Sequence, residues 1–110
     1  MSKRGKLEII KDILNIIQEN HNSIRSTPLL RKSGLSSKSF YEYFQELLKK
    51  GLINTMQDSH DNKKVILTAK GKEYLEKYKT IVGFIDEFEL WLQITIEILL
   101  LSSLFSMFWN

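Results

Sequence analysis

The stretch SSKSFYEYFQELLKKGLI, residues 36–53, carries the densest set of side chains able to do recognition chemistry. Ser37, Lys38, Tyr41, Glu42, Gln45 and Lys49 supply hydroxyls, an amide, a carboxylate and ammonium groups. Phe40, Phe44, Leu47 and Leu48 fall at i, i+4, i+7 and i+8, one helical stripe that needs a core. The polar remainder either reads a partner by hydrogen bonding or is simply solvated, as outer helix faces commonly are.

Other chemistry is poorly served. The chain has no glycine-rich phosphate loop, no Ser-His-Asp set in a workable order and no paired carboxylates in an apolar context, Glu97 being a lone one. His60 lies near Asp58 and Asp61, but a polar loop offers no fixed three-ligand geometry, so neither metal nor cofactor is expected. His21 reads as a helix-end residue. The expectation is a binding protein, not an enzyme, with no small-molecule substrate.

A length of 110 residues with 43% hydrophobic residues suits one domain with one core. The absence of cysteine suits a reducing interior such as cytoplasm, and charged residues interrupt the apolar positions after the basic start, so no secretory leader is read there. Charge is distributed unevenly. All sixteen Lys and Arg lie between Lys3 and Lys79, where they meet nine acids for a net +7, whereas the last thirty residues carry four acids and no base. A basic body of this kind suits a polyanionic partner.

The elements that must position the 36–53 helix follow from period and punctuation. Leu7, Ile10, Ile13, Leu14 and Ile17 predict a first helix through Asn20, widened by Ile9 and Ile16. Ser23, Ile24 and Arg25 suffice for a short edge strand. Thr27 is the expected cap and Pro28 the first residue of a short helix over 29–33, which Gly34 ends. A turn of about three residues then leads to Ser36 or Ser37 as cap, the separation of a helix-turn-helix. After Gly51, residues 52–56 and 65–68 read as strands around a polar loop over 57–64. Thr68 can cap a last helix bearing Tyr74, Leu75, Tyr78, Ile81, Val82, Ile85 and Phe88, with Gly83 a soft point. Tyr43, Tyr74 and Tyr78 are expected at the core, the last two with wet hydroxyls.

Leu35-Ser36, the aromatic helix, Leu47-Leu48-Lys49-Lys50-Gly51-Leu52-Ile53 and Leu67-Thr68-Ala69-Lys70-Gly71-Lys72-Glu73-Tyr74-Leu75 occur in an order that resembles the archaeal winged-helix regulators called ArnR-like. The pattern is also similar to small archaeal chromatin-associated winged-helix proteins that dimerise through a long C-terminal helix. The resemblance covers roughly residues 5 to 82 and implies a mostly α fold with a small β-hairpin, a winged helix-turn-helix followed by a long C-terminal helix. It implies residues 1–5 as a basic arm including Lys3 and Arg4, with Lys6 adding to it, 6–82 as the winged domain and 83–110 as an apolar helix. It further implies double-stranded DNA as partner and a role in transcription regulation or chromatin. The helix over 36–50 would then enter the major groove with Ser36, Ser37, Lys38, Ser39, Tyr41, Glu42 and Gln45. Arg25, Arg31, Lys32, Lys63 and Lys64 would clamp phosphates. Glu42 either accepts from a cytosine amine or points away.

Residues 90–109 contain fourteen apolar residues of twenty, with Trp91 and Trp109 at either end. Their apolar positions go around the helix, which calls for cover on all sides. One reading makes residues 90–109 a membrane anchor that leaves the winged helix in the cytoplasm, where it would serve DNA or, alternatively, act as a protein-interaction module. The other makes a homodimer seam from Phe88, Leu92, Ile96, Leu99 and Leu100, although Glu89, Ser103 and Ser106 interrupt its pattern. A third folds the segment back on its own domain. The sequence leaves the three open.

Overall fold

The computed structural model describes residues 4–60 and 62–108, so expectations placed on Lys3, Asp61 and Trp109 lie outside the described residues. The order is α1 (Lys6–Glu19), β1 (Ser23–Arg25), α2 (Ser26–Ser33), α3 (Ser37–Lys49), β2 (Ile53–Gln57), β3 (Lys63–Leu67) and α4 (Ala69–Phe108). Helices dominate, and the expected hairpin is joined by β1 into one three-stranded antiparallel sheet, order β1-β3-β2. Residues up to Tyr78 form one compact unit and those from Lys79 a second, although α4 itself is continuous.

The core of the first unit follows the helical periodicities. From α1 it takes Ile9, Ile10, Ile13, Leu14 and Ile17, from α2 Leu29, and from α3 Phe40 and Leu47. Ile24, Ile53, Val65 and Leu67 close it from the sheet. Each fully buried aliphatic side chain contributes about 1.5–3 kcal/mol, so this apolar face outweighs the weak intrinsic preferences of short helices. Leu7 departs from the expected stripe. It is 64% exposed, and its carbonyl oxygen accepts from the Tyr74 hydroxyl at 3.2 Å. Tyr43, Tyr74 and Phe44 pack against the core while half-buried, and the Lys11 ammonium sits 5.6 Å from the centre of the Tyr78 ring.

Two boundaries differ from the sequence expectation. α2 starts at Ser26, with Arg25 as its N-cap, so Thr27 and Pro28 lie inside the first turn. Proline is tolerated there because the first-turn amides have no intrahelical acceptor in any case. The strands are also longer on their tip side than residues 52–56 and 65–68 suggested. Lys63 and Lys64 pair with Gln57 and Met56, which shortens the loop to residues 58–62. The Asp58 amide donates to the Asn62 carbonyl at 3.1 Å, and the Asp58 carboxylate accepts from the His60 and Asn62 amides at 2.9 and 3.0 Å. Turn-forming composition marked the loop correctly but could not reveal that lysines join the ladder.

Candidate nucleic-acid interface

Both ends of α3 are held. Ser36 Oγ accepts from the Ser39 amide at 3.2 Å, so this hydroxyl caps the helix. Gly34 at φ 71° and Gly51 at φ 73° turn the chain before and after it in a conformation that a Cβ disfavours. At the C-terminal end, Lys70 Nζ donates to the Lys50 carbonyl at 2.9 Å, answering a carbonyl the helix leaves open. Glu46 receives Lys6 Nζ at 2.7 Å and Lys50 Nζ at 2.9 Å, which links α1 to α3. With Phe40 and Leu47 buried, Tyr41 is turned outward at 62% exposure.

That outward side borders an open groove of about 440 Å³. α3 contributes Ser37, Phe40, Tyr41, Phe44 and Gln45; α2 contributes Ser26, Thr27 and Leu30; the sheet contributes Thr55, Lys63, Lys64 and Val65. The wall is part apolar and part hydrogen-bonding, and among these residues there are two ammonium groups and no carboxylate. α2 opens on this groove, and its N-cap residue Arg25 makes no side-chain cap hydrogen bond.

Arg25 adds to the charge. It pairs with Lys64 across β1 and β3, which sets two like charges on neighbouring strands. Asp58 lies within the reach of both: the Asn62 and His60 amides, followed by the charges of Lys64 and Arg25, hold its carboxyl below the usual carboxylate range. Hydroxyl, amide and phenol groups on one helix beside fixed cations can take up a polyanion while hydrogen-bonding to its bases.

The expected site residues are thus partly gathered. Ser37, Tyr41, Gln45, Lys63 and Lys64 share the groove, and Arg25 is one strand away. Lys38 is exposed on the first turn of α3 and Ser39 is half-buried there. Glu42 does not line the groove; it lies with Lys6, Tyr43 and Glu46 on another flank. Arg31 and Lys32 border a separate hollow with Pro28, and Lys32 Nζ also donates to Asn20 Oδ1 at 3.4 Å. Two residues read as an arm are already engaged: Arg4 donates to Asp12 at 2.8 Å and to the Ser33 carbonyl at 2.9 Å, and Lys6 pairs with Glu46. Sequence reading passed over Ser26, Thr27 and Thr55. Thr55 is opposite Val65 in the ladder, a register that the hairpin loop length would have supplied.

A family model for the winged helix-turn-helix matches residues 3–85. This chain belongs to the winged helix-turn-helix family. The winged helix is similar to the solved structure of Sso10a-2, a DNA-binding protein from Sulfolobus solfataricus, at 22% identity and TM-score 0.67, covering 86% of this chain and 96% of that one. It is also similar to F93 from STIV, described as a winged-helix DNA-binding protein, at 18% identity and TM-score 0.63, covering 76% and 95%. A third, SSV1 F-93, aligns at 22% identity and TM-score 0.59, covering 81% and 95%. At such identities the likeness establishes the fold of this winged helix. A search of curated proteins found no match.

Proposed function

We propose that this winged helix binds double-stranded DNA, as a transcriptional regulator or chromatin-associated factor in the cytoplasm. The observation that carries the reading is the Arg25–Lys64 pair beside a groove that contains no acid and is bordered by Ser37, Tyr41 and Gln45. The net +7 of residues 1–80 supports it, as does the description of Sso10a-2 and F93 as DNA-binding proteins. In this reading α3 enters the major groove. Ser37, Tyr41 and Gln45 meet base edges, Ser36, Lys38 and Ser39 lie at its leading turn, and Arg25, Lys63 and Lys64 take phosphates. Arg31 and Lys32 hold phosphate from the α2 flank. Glu42 belongs to the side turned from the groove.

Fluorescence anisotropy with a labelled duplex tests the proposal over a salt series. Binding that weakens steeply with salt is expected, with log K falling by about 0.9 per phosphate neutralised for each unit of log salt. Absence of duplex binding at low salt would refute it.

Residues 6–82 serve in this reading as the DNA-binding part and 83–110 as the association segment. Phe88, Trp91, Leu92, Ile96, Leu99 and Leu100 are exposed on α4, and an apolar surface of that extent requires cover. A homodimer through α4 or insertion into a membrane supplies it. Sedimentation of the purified chain reads the first and cell fractionation the second.

A further inference from the structure

We infer that the groove between α2, α3 and the sheet takes one unpaired nucleotide of a DNA strand, its base stacked on Tyr41 and its flanking phosphates at Lys63, Lys64 and Arg25. The inference rests on DNA as the partner and adds the form of DNA that this groove prefers.

A paired base satisfies this wall only in part. A duplex presents base edges, thymine methyls and the sugar-phosphate chain, while the faces of its bases are covered by their neighbours in the stack. Edges suit the hydroxyls and amide of α3, whereas an apolar hollow is filled by a flat apolar face. Leu30, Phe40, Phe44 and Val65 line such a hollow, in a groove of about 440 Å³, within the roughly 300–1,000 Å³ of sites that hold compact ligands. Phe40 and Val65 belong to the core at 7% and 1% exposure, so this part of the wall is fixed before any ligand arrives.

Tyr41 supplies the ring for stacking. It is the exposed aromatic residue of the first unit, Tyr43, Phe44, Tyr74 and Tyr78 being half-buried and Phe40 buried. Phe40 and Phe44 pack on each other with ring centroids 5.8 Å apart, whereas Tyr41 has neither a ring partner nor a hydrogen bond among the described residues. Every base has a π-face, so an uncommitted ring beside cations is a platform for an unpaired one whatever its identity.

Charge and polarity complete the match. Lys63 and Lys64 are held in the ladder opposite Gln57 and Met56, Arg25 pairs with Lys64 from β1, and no carboxylate lines the groove. Gln45 and Thr55, both exposed, border it with groups that can donate to and accept from the free edge of the stacked base. At paired positions the α3 side chains meet edges; an unpaired nucleotide offers its face as well.

The test measures binding of the purified full chain to three DNAs by anisotropy: a perfect duplex, the same duplex with one unpaired aminopurine nucleotide, and the same with an abasic residue in its place. The unpaired base should raise affinity over the perfect duplex at least about fivefold, as expected for one base stacked on an aromatic ring. The abasic residue should lose that gain, and aminopurine fluorescence should fall on binding. Tyr41→Phe should keep the gain and Tyr41→Leu abolish it, with circular dichroism confirming that both variants fold. Equal affinity for the unpaired base and the abasic residue, unchanged fluorescence, or a gain retained in Tyr41→Leu would overturn the inference. Displacement of the DNA by adenosine monophosphate at concentrations near that of the DNA would also overturn it, by making a free nucleotide the occupant. Perfect-duplex affinity is read separately: duplex binding with no gain from the unpaired base refutes this inference and leaves the duplex reading standing, whereas the gain without duplex binding does the reverse.

Discussion

The Thr68 hydroxyl donates to the Gly51 carbonyl oxygen at 2.7 Å and accepts from the Gly71 amide at 3.0 Å. One side chain therefore caps α4 and ties it to the turn that ends α3. Thr68→Val removes both bonds at nearly constant volume. A loss of about 1–2 kcal/mol is expected, lowering Tm by roughly 4–16 °C for a unit of this size. Thr68→Ser should recover most of it, and thermal denaturation followed by circular dichroism checks both.

Gly71 is buried because the backbone of the β2 approach comes close. A Cβ there would overlap the Leu52 carbonyl oxygen and meet Leu67 Cδ1 at 2.6 Å. Gly71→Ala should therefore destabilise by about 1–3 kcal/mol despite alanine's better helix propensity. Gly83→Ala, where a Cβ meets nothing within 4 Å, should be neutral or stabilising by up to about 1 kcal/mol. Opposite signs at two glycines of one helix are read out by paired denaturant titrations.

Arg25→Ala with Lys64→Ala should weaken binding to all duplex sequences by a similar factor, on the order of tenfold or more, and reduce the salt slope by about two. Affinity measured on several unrelated duplexes at two or more salt concentrations checks it. Equal salt slopes for variant and wild type would remove these two residues from the phosphate contacts.

Tyr41→Ala and Gln45→Ala should alter preference among duplexes, each costing about 1–3 kcal/mol on favoured sequences, whereas Glu42→Gln should change affinity by less than about twofold. Selection from a random duplex pool, repeated with each variant, distinguishes the two flanks of α3.

Asp12 sets an acid limb to stability. Burial raises its carboxyl, but hydrogen bonds from Lys11 and Arg4 and the charges behind them prevail and hold it below its usual value. Its folded-state affinity for protons is thus weaker than in the unfolded chain, so it stabilises above about pH 4, and that contribution fades as pH falls through the folded value. For part-exposed pairs the scale is less than about 1 kcal/mol. Asp12→Asn should lower stability at neutral pH and flatten the decline toward acid, as urea midpoints across pH will show.

Local signals sufficed for much of the fold. The Ile10, Ile13, Leu14, Ile17 stripe, the Ser36 cap, Gly34 and Gly51 at helix ends and the Thr68 cap are all found where short-range rules put them. Such features depend on neighbours within about four residues, which a sequence displays directly. Hairpin extent was less legible, since Lys63 and Lys64 look like loop residues until a partner strand aligns them with Gln57 and Met56.

For the 36–53 stretch, residue types alone established a capped helix with a buried aromatic stripe and a polar reverse side. Tertiary structure decided which polar residues border one groove, because that depends on what α2 and the sheet bring within reach: Tyr41, Gln45 and Lys64 line it, while Glu42 sits with Lys6 and Glu46. It also gave Arg4 and Lys6 partners in Asp12 and Glu46, which sequence spacing cannot pair. The run from 90 to 107 is the converse case: its apolar composition was plain in the sequence, and the helix added that its apolar side chains are exposed.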